Sequence, residues 1–478
     1  MVDSSIGQRH SPAPRRHHAR SVRNASRADT NRAHVPPALW WTAALTLLGT
    51  CSLLCWDQVR RLGDLRTHLG PFFAWFALAF LAYLSTLWVV HAIEQRGVAK
   101  GAMRGCIAVI VWMAVLLRVV MCGVTPSLSD DIYRYQWDGR VQRAGFDPYA
   151  YPPNHPQLQF LRDELFPHIN FPNLRTVYPP LTELAFRAGA AMGHTVTGQK
   201  LVFVAAELLT VMALLVILWQ QGRSLLWVVA YAWHPLVVLE IAGSGHNDAL
   251  GIAFLWMGLA AWQAGQWMGA AVEWSLAFLS KFASVVLVPW WWFRRAHRGW
   301  LLGFLFLAAL PLAMRPTAIS AVIESLSVMT VRFESNASIY LAVAGLLGNA
   351  GLARLLLSAC GAVWLLWWAK READPIRYLF GAFAGAALLS PVLHPWYVLW
   401  LIPFLCLWRI SALIALTGTV VLAYTVWPGY LAGGAWHVPL WARLLEYAPV
   451  LLFGLWELRR ACVVPQPVRP RVVVKHAS

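Results

Sequence analysis

The chain has 478 residues, 59% of them hydrophobic and only 13% charged, with 28 Trp and a formal net charge of +17. A soluble chain would carry roughly a quarter of its residues as Asp, Glu, Lys and Arg, so a soluble enzyme is excluded, as is a disordered or fibrous chain. A positive excess of this size would point to nucleic acid if it were gathered on one folded face, so its placement along the chain decides the partner.

Residues 1–36 hold seven Arg and two Asp. Their composition fits a mitochondrial transit peptide or a cytoplasmic tail, and the tail is the reading taken. Apolar runs follow at about 38–55, 71–93, 105–123, 199–219, 224–241, 248–265, 300–316, 351–369, 377–393, 395–408, 410–427 and 440–457. A helix of about 20 apolar residues crosses a bilayer core of about 30 Å with its backbone hydrogen bonds closed. Residues 266–293 contain two short apolar stretches broken around Ser280-Lys281, which predicts a hairpin of two short helices or a re-entrant pair. The fold class expected is therefore all-α and polytopic, with about 12–14 transmembrane helices between residues 37 and 458 and a second basic tail at 459–478.

The two tails each carry +5, and with the loops at 94–104, Arg223, 294–298, 370–377 and Arg409 they hold +18, leaving −1 for the rest of the chain. The positive-inside rule then places both termini in the cytoplasm and the long loop at about 124–198 outside, with a stretch, LTELAFRAGAAMG, able to lie at the interface as an amphipathic helix. The charge records orientation in a cell membrane, and no nucleic-acid partner is expected. The seven Cys show no Cys-x-x-Cys or Cys/His ligand spacing, so they read as buried free thiols.

Polar residues that could carry chemistry cluster where the third run ends. Asp130 and Asp131 stand a few residues beyond it, followed by Asp138-Gly139-Arg140. Adjacent carboxylates repel, and one at a wall of low dielectric can serve as a general base. Ser129-Asp130-Asp131 could equally cap a helix beginning at Ile132. Lys281, a charge between two short apolar stretches, would be costly unless paired or used. Arg134 and Arg140 could grip phosphate bidentately, and Arg118 could do so or snorkel outward. His246-Asn247-Asp248 after Gly243-Ser244-Gly245 could bind sugar hydroxyls or a cation, or simply cap the next helix.

The run D-D-I-Y-R-Y-x-W-D-G-R-V-x-x-A-G-x-x-P-Y from Asp130 to Tyr149, with Tyr178-Pro179-Pro180-Leu181 downstream, resembles the GT-C superfamily of membrane glycosyltransferases. It is similar in particular to bacterial polyprenyl-phosphate-mannose-dependent mannosyltransferases that build α-mannans, and more distantly to eukaryotic GPI mannosyltransferases. His246-Asn247-Asp248, the Ser280-Lys281 break, Asn336-Ala337-Ser338-x-Tyr340 and His394-Pro395-Trp396-Tyr397 extend the likeness along the chain. The resemblance implies transfer of a hexose, mannose above all, from a polyprenyl phosphate to a cell-envelope glycan or glycolipid acceptor. It implies Asp130 as general base, with Asp131 tuning it, orienting the acceptor or binding a divalent cation; no other cofactor is expected. Lys281, Arg134 and Arg140 would hold the donor phosphate. Tyr133, Asp138, Tyr178, His246, Asn247, Asp248, Asn336, His394 and Tyr397 would line the substrates. The alternative is a secondary transporter or lipid-linked sugar flippase, for which Glu207, Glu240, Glu273, Lys281 and Arg354 in or near the spans would mark a path.

Overall fold

A computed structural model of the chain describes residues 38–97, 100–193 and 195–463. The tail at 1–36 and most of that at 459–478 lie outside the described residues. Among the described residues the fold is all-α, and the one β pairing is an isolated bridge between Ser335 and Val392.

Three long helices open the fold: α1 (Ala38–Arg61), α2 (Leu69–Arg96) and α3 (Lys100–Cys122). α1 packs on both of the others. Trp41, Leu45 and Trp56 are buried on one side of α1, while Leu47 and Leu54, like Trp88 and Trp112 on its neighbours, stay exposed. Apolar residues all round are what a helix with one face on protein and the other on lipid requires.

Among the described residues seven helices are long and apolar enough to cross a membrane, or eight if the bent pair Leu225–Ala232 and Pro235–Gly243, whose halves meet at 51°, is counted as one span. The larger number expected from apolar runs includes segments that fold as short pieces. The run at 248–265 is the 16-residue helix Asp248–Gln263. Residues 266–293 form the 15-residue helix Trp267–Lys281, which ends where Phe282 takes φ +58, followed by the apolar segment Ala283–Trp292. The run at 395–408 is two 3₁₀ turns, Pro395–Trp400 and Ile402–Cys406, and Pro403 lacks the amide donor that a continuous α-helix would need there. An apolar run alone does not distinguish a straight span from a broken one.

The segment 124–198 folds as α4 (Asp131–Arg143), two 3₁₀ turns at Pro156–Leu161 and Phe166–His168, α5 (Pro180–Ala191) and the start of α6 (Val196–Gln220). The amphipathic stretch becomes α5, and its apolar face packs on α4 and α6. Phe186 of α5 stacks on Tyr135 of α4 with ring centroids 4.5 Å apart. The crossing is close because position 139 is glycine: a Cβ there would overlap the Phe186 carbonyl. On the other side of α4 the chain returns through Gly245, at φ +78, where a side chain would strike Ile132. These two glycines bring α5 and His246-Asn247-Asp248 against the helix that carries the paired acids.

Candidate active site

A cavity of about 500 Å³ opens between α4, the segment 170–179, the break at Lys281-Phe282, and the segments 326–333 and 390–397. Of the residues singled out from sequence, Asp131, Arg134, Tyr178, Lys281, His394 and Tyr397 line it. Phe171, Leu174, Val177, Phe282, Leu326 and Phe333 supply an apolar wall.

α4 starts at Asp131, so that carboxylate leaves the first helical residue toward the cavity and keeps a third of its surface open. Burial pushes its pKa up to about 6; Lys281 pulls it down, and the charges of Asp248 and Asp130 push it further up. Tyr135 Oη lies 3.5 Å from Asp131 Oδ2.

Three cations share the cavity. Lys281 Nζ donates to Asn247 Oδ1 at 2.8 Å and Asp248 Oδ2 at 3.0 Å, while the Trp400 indole N–H reaches Asp248 Oδ1 at 2.7 Å. The fully buried Asp248 is thereby matched, and Lys281 remains 25% exposed to the cavity. Arg134 Nε sits 2.9 Å from both oxygens of Asp138, one helical turn on, leaving Nη2 buried without a partner. Arg175 pairs with Glu324 and donates to the Tyr149 carbonyl at 3.3 Å.

Behind this wall, His246 stacks on Trp396 at 4.1 Å, and Trp396 stacks in turn on His394 at 4.4 Å. Thus Asn247 and Asp248 hold Lys281, Asp138 holds Arg134, and His246 supports an aromatic wall; these four do not line the cavity themselves. A cation fits this donor set poorly, since both Asp248 oxygens are engaged, and among the described residues no three His, Cys, Asp or Glu converge on a metal position.

Four residues expected at the site lie elsewhere. Asp130 is the N-cap residue of α4 but its carboxylate caps nothing. It is under the influence of Arg66, His168 and Asp64, and burial raises its pKa. Tyr133 packs on His168 with ring centroids 5.0 Å apart. Arg140 is tied to Asp163 at 2.7 Å, because one residue beyond Gly139 it emerges on a different side of α4 from Arg134. Asn336, at φ +50, donates to Glu446 at 2.9 Å and to the Leu393 carbonyl at 3.3 Å, so it braces the 390–397 segment from behind.

Sequence reasoning passed over Arg175, Phe282 and the site role of Trp396. An Arg three residues before Tyr178-Pro179-Pro180 was the available signal for the first; its partner Glu324 is distant in the chain. Of the charges that would mark a transport path, Glu207 pairs with Arg118 at 2.7 Å, Glu240 accepts from Tyr424 at 2.7 Å and Arg354 pairs with Glu334 at 2.8 Å, while Lys281 lines the cavity and Glu273 Oε2 is buried without a hydrogen-bond partner among the described residues. Arg118 is therefore neither a phosphate ligand nor a snorkel, since it also donates to the Ala114 and Ala232 carbonyls.

Residues 44–297 match the family model described as alpha-(1->6)-mannopyranosyltransferase, N-terminal domain, and residues 316–454 match the MptB C-terminal domain. The chain belongs to the alpha-(1->6)-mannopyranosyltransferase family. It is also similar to alpha-(1->6)-mannopyranosyltransferase A of Mycobacterium tuberculosis, 26% identical over 223 residues. That stretch covers 43% of this chain and 40% of the relative, so the likeness spans less than half of either protein. Membership of this family accords with the GT-C-like resemblance carried by the Asp130 to Tyr149 motif, and the cavity is built from both matched regions.

Proposed function

We propose that the protein transfers mannose from a polyprenyl-phosphate donor to a glycan or glycolipid acceptor at the outer face of the cell membrane, forming an α-(1→6) bond, with both termini cytoplasmic. The observation that carries this reading is the meeting of Asp131 with Lys281, Arg134 and Arg175 in one cavity with an apolar wall. The cations suit a lipid-linked phosphate and the apolar wall suits its isoprenoid end.

In this reading the acceptor hydroxyl gives its proton to Asp131 as its oxygen bonds to the anomeric carbon. The bond from that carbon to the phosphate oxygen breaks, and the electron pair stays on the phosphate, where Lys281 and the two arginines stabilise it. One displacement inverts the anomeric configuration. Asp131 replaces Asp130 as the base, because Asp131 shares the cavity with the cations and Asp130 does not line it.

The test is purified protein in nanodiscs with polyprenyl-phosphate mannose and an α-mannan oligosaccharide. Formation of a 1→6 linked product, lost in Asp131→Asn, supports the reading. Movement of the lipid-linked sugar without a new glycosidic bond overturns it.

A further inference from the structure

One buried carboxylate beside the cavity has no part in the reaction just described. Glu240 lies in a π-helical turn, Val238–Gly243, that ends three residues before His246. The wide turn lets the Ser244 N–H reach back to the Leu239 carbonyl at 2.8 Å and the His246 N–H to the Glu240 carbonyl at 2.9 Å, folding the imidazole over the Glu240 side chain. π-Turns of this kind recur at functional sites because they set one side chain out of helical register.

The result is a row of three groups. Glu240 Oε2 lies 3.4 Å from His246 Nε2, and His246 Nδ1 lies 3.8 Å from Asp131 Oδ2. Glu240 and His246 are 0% and 1% exposed. The Tyr424 hydroxyl donates to Glu240 Oε1 at 2.7 Å and fixes that carboxyl group, while Glu240 Oε2 and both His246 nitrogens have no closer hydrogen-bond partner. Trp396, lying flat on the imidazole, fixes the ring plane. Both gaps are long for hydrogen bonds, as such contacts often are before substrate tightens a site.

We propose that Glu240 is a positioning residue for the transfer reaction: it holds His246 so that Nδ1–H is presented to Asp131, and the imidazole in turn orients that carboxylate and favours its charged form. The logic is that of a buried acid ordering an imidazole which orders the reacting group. The inference rests on Asp131 being the base. His246 is faced by Asp131 from α4, Glu240 from its own turn, Lys281 from the helix Trp267–Lys281 and His394 from the 390–397 segment, and Glu240 is faced by Tyr424 and Asp248.

Glu240→Leu, Glu240→Gln, His246→Ala and Asp131→Asn are compared in nanodiscs for kcat, donor KM, pH profile and thermal unfolding. Losing the orienting group is expected to lower kcat about ten- to a hundredfold at nearly unchanged donor KM. It also moves the acid limb of kcat to higher pH, because the carboxylate loses a donor that favours its charge. Glu240→Gln keeps a group that bonds His246 and is expected to restore kcat to within a few-fold with the limb in place. His246→Ala should match Glu240→Leu, and the double variant should lose no more than either alone. If Glu240→Leu does not yield folded protein, His246→Ala carries the same test. A folded Glu240→Leu or His246→Ala protein with the wild-type kcat and pH limb overturns the inference while an inactive Asp131→Asn leaves the base assignment standing. Full transfer by Asp131→Asn removes that base assignment itself.

Discussion

Asp130 and Asp131 are adjacent in the chain, yet Asp131 opens onto the cavity beside Lys281 while Asp130 faces Arg66 and Asp64 of the turn between α1 and α2 and His168 of the 3₁₀ turn Phe166–His168. The start of α4 between them sends the two carboxylates apart. Asp131→Asn is expected to lower transfer about a hundred- to ten-thousand-fold, the range for loss of a general base. Asp130→Asn should keep transfer within about tenfold, since its carboxylate touches none of the cavity cations. Product formation from polyprenyl-phosphate mannose measures both, and the reverse ranking would return the base to Asp130.

Acid sensitivity follows from the same geometry. Burial raises the Asp131 pKa to about 6, and a protonated Asp131 takes no proton from an acceptor. Transfer should therefore level off above about pH 6 and fall close to tenfold per pH unit below it. The profile is recorded at saturating and at low donor. An acid limb near pH 4, the ordinary carboxylate range, would mean that another group limits the rate.

Lys281 serves two ends, and these can be separated. Lys281→Met leaves Asp248 buried and uncompensated, a change that costs about 3–5 kcal/mol when a buried pair is broken on one side. Lys281→Met with Asp248→Asn should recover most of the thermal stability, because the neutral amide still receives the Trp400 N–H. Transfer stays low in the double variant if Lys281 holds the donor phosphate. Recovery of transfer along with stability would make Lys281 structural only.

The α4 and α5 crossing admits little at position 139. Gly139→Ala drives a methyl into the Phe186 carbonyl, and overpacking of this kind costs about 1–3 kcal/mol. A lowered unfolding temperature, with donor binding weakened less than stability, is the expected outcome. A Gly139→Ala protein as stable as the parent would show that the two helices shift apart easily.

Much of this was legible in sequence because it rests on short-range pattern. The Asp130 to Tyr149 motif, the break at Lys281, and the polar His246-Asn247-Asp248 group all mark elements that do meet around one cavity. Arg134 and Asp138 sit one turn apart, a spacing any helix reading contains. What sequence does not carry is direction and distant partnership. Asp130 and Asp131 are indistinguishable until the first residue of α4 is known. Arg140 looked like a phosphate ligand because Asp163 lies 23 residues away in an irregular segment. Asn336 reads as a substrate residue until Glu446, 110 residues on, is placed against it. Glu240 sits in an apolar run as if it were a lipid-buried charge, and only the π-turn shows why it stands under His246.

The cavity is also a seam. Its wall from Asp131 to Phe282 comes from the first of the two matched regions, and its wall from Leu326 to Tyr397 from the second, within which Ser335 and Val392 form the isolated bridge. Neither region encloses a site by itself. The first brings Asp131 and the three cations, and the second brings the aromatic wall of His394, Trp396 and Tyr397. A chimera of two relatives cut between residues 297 and 316 would therefore inherit its chemistry from one parent and the shape of its substrate opening from both.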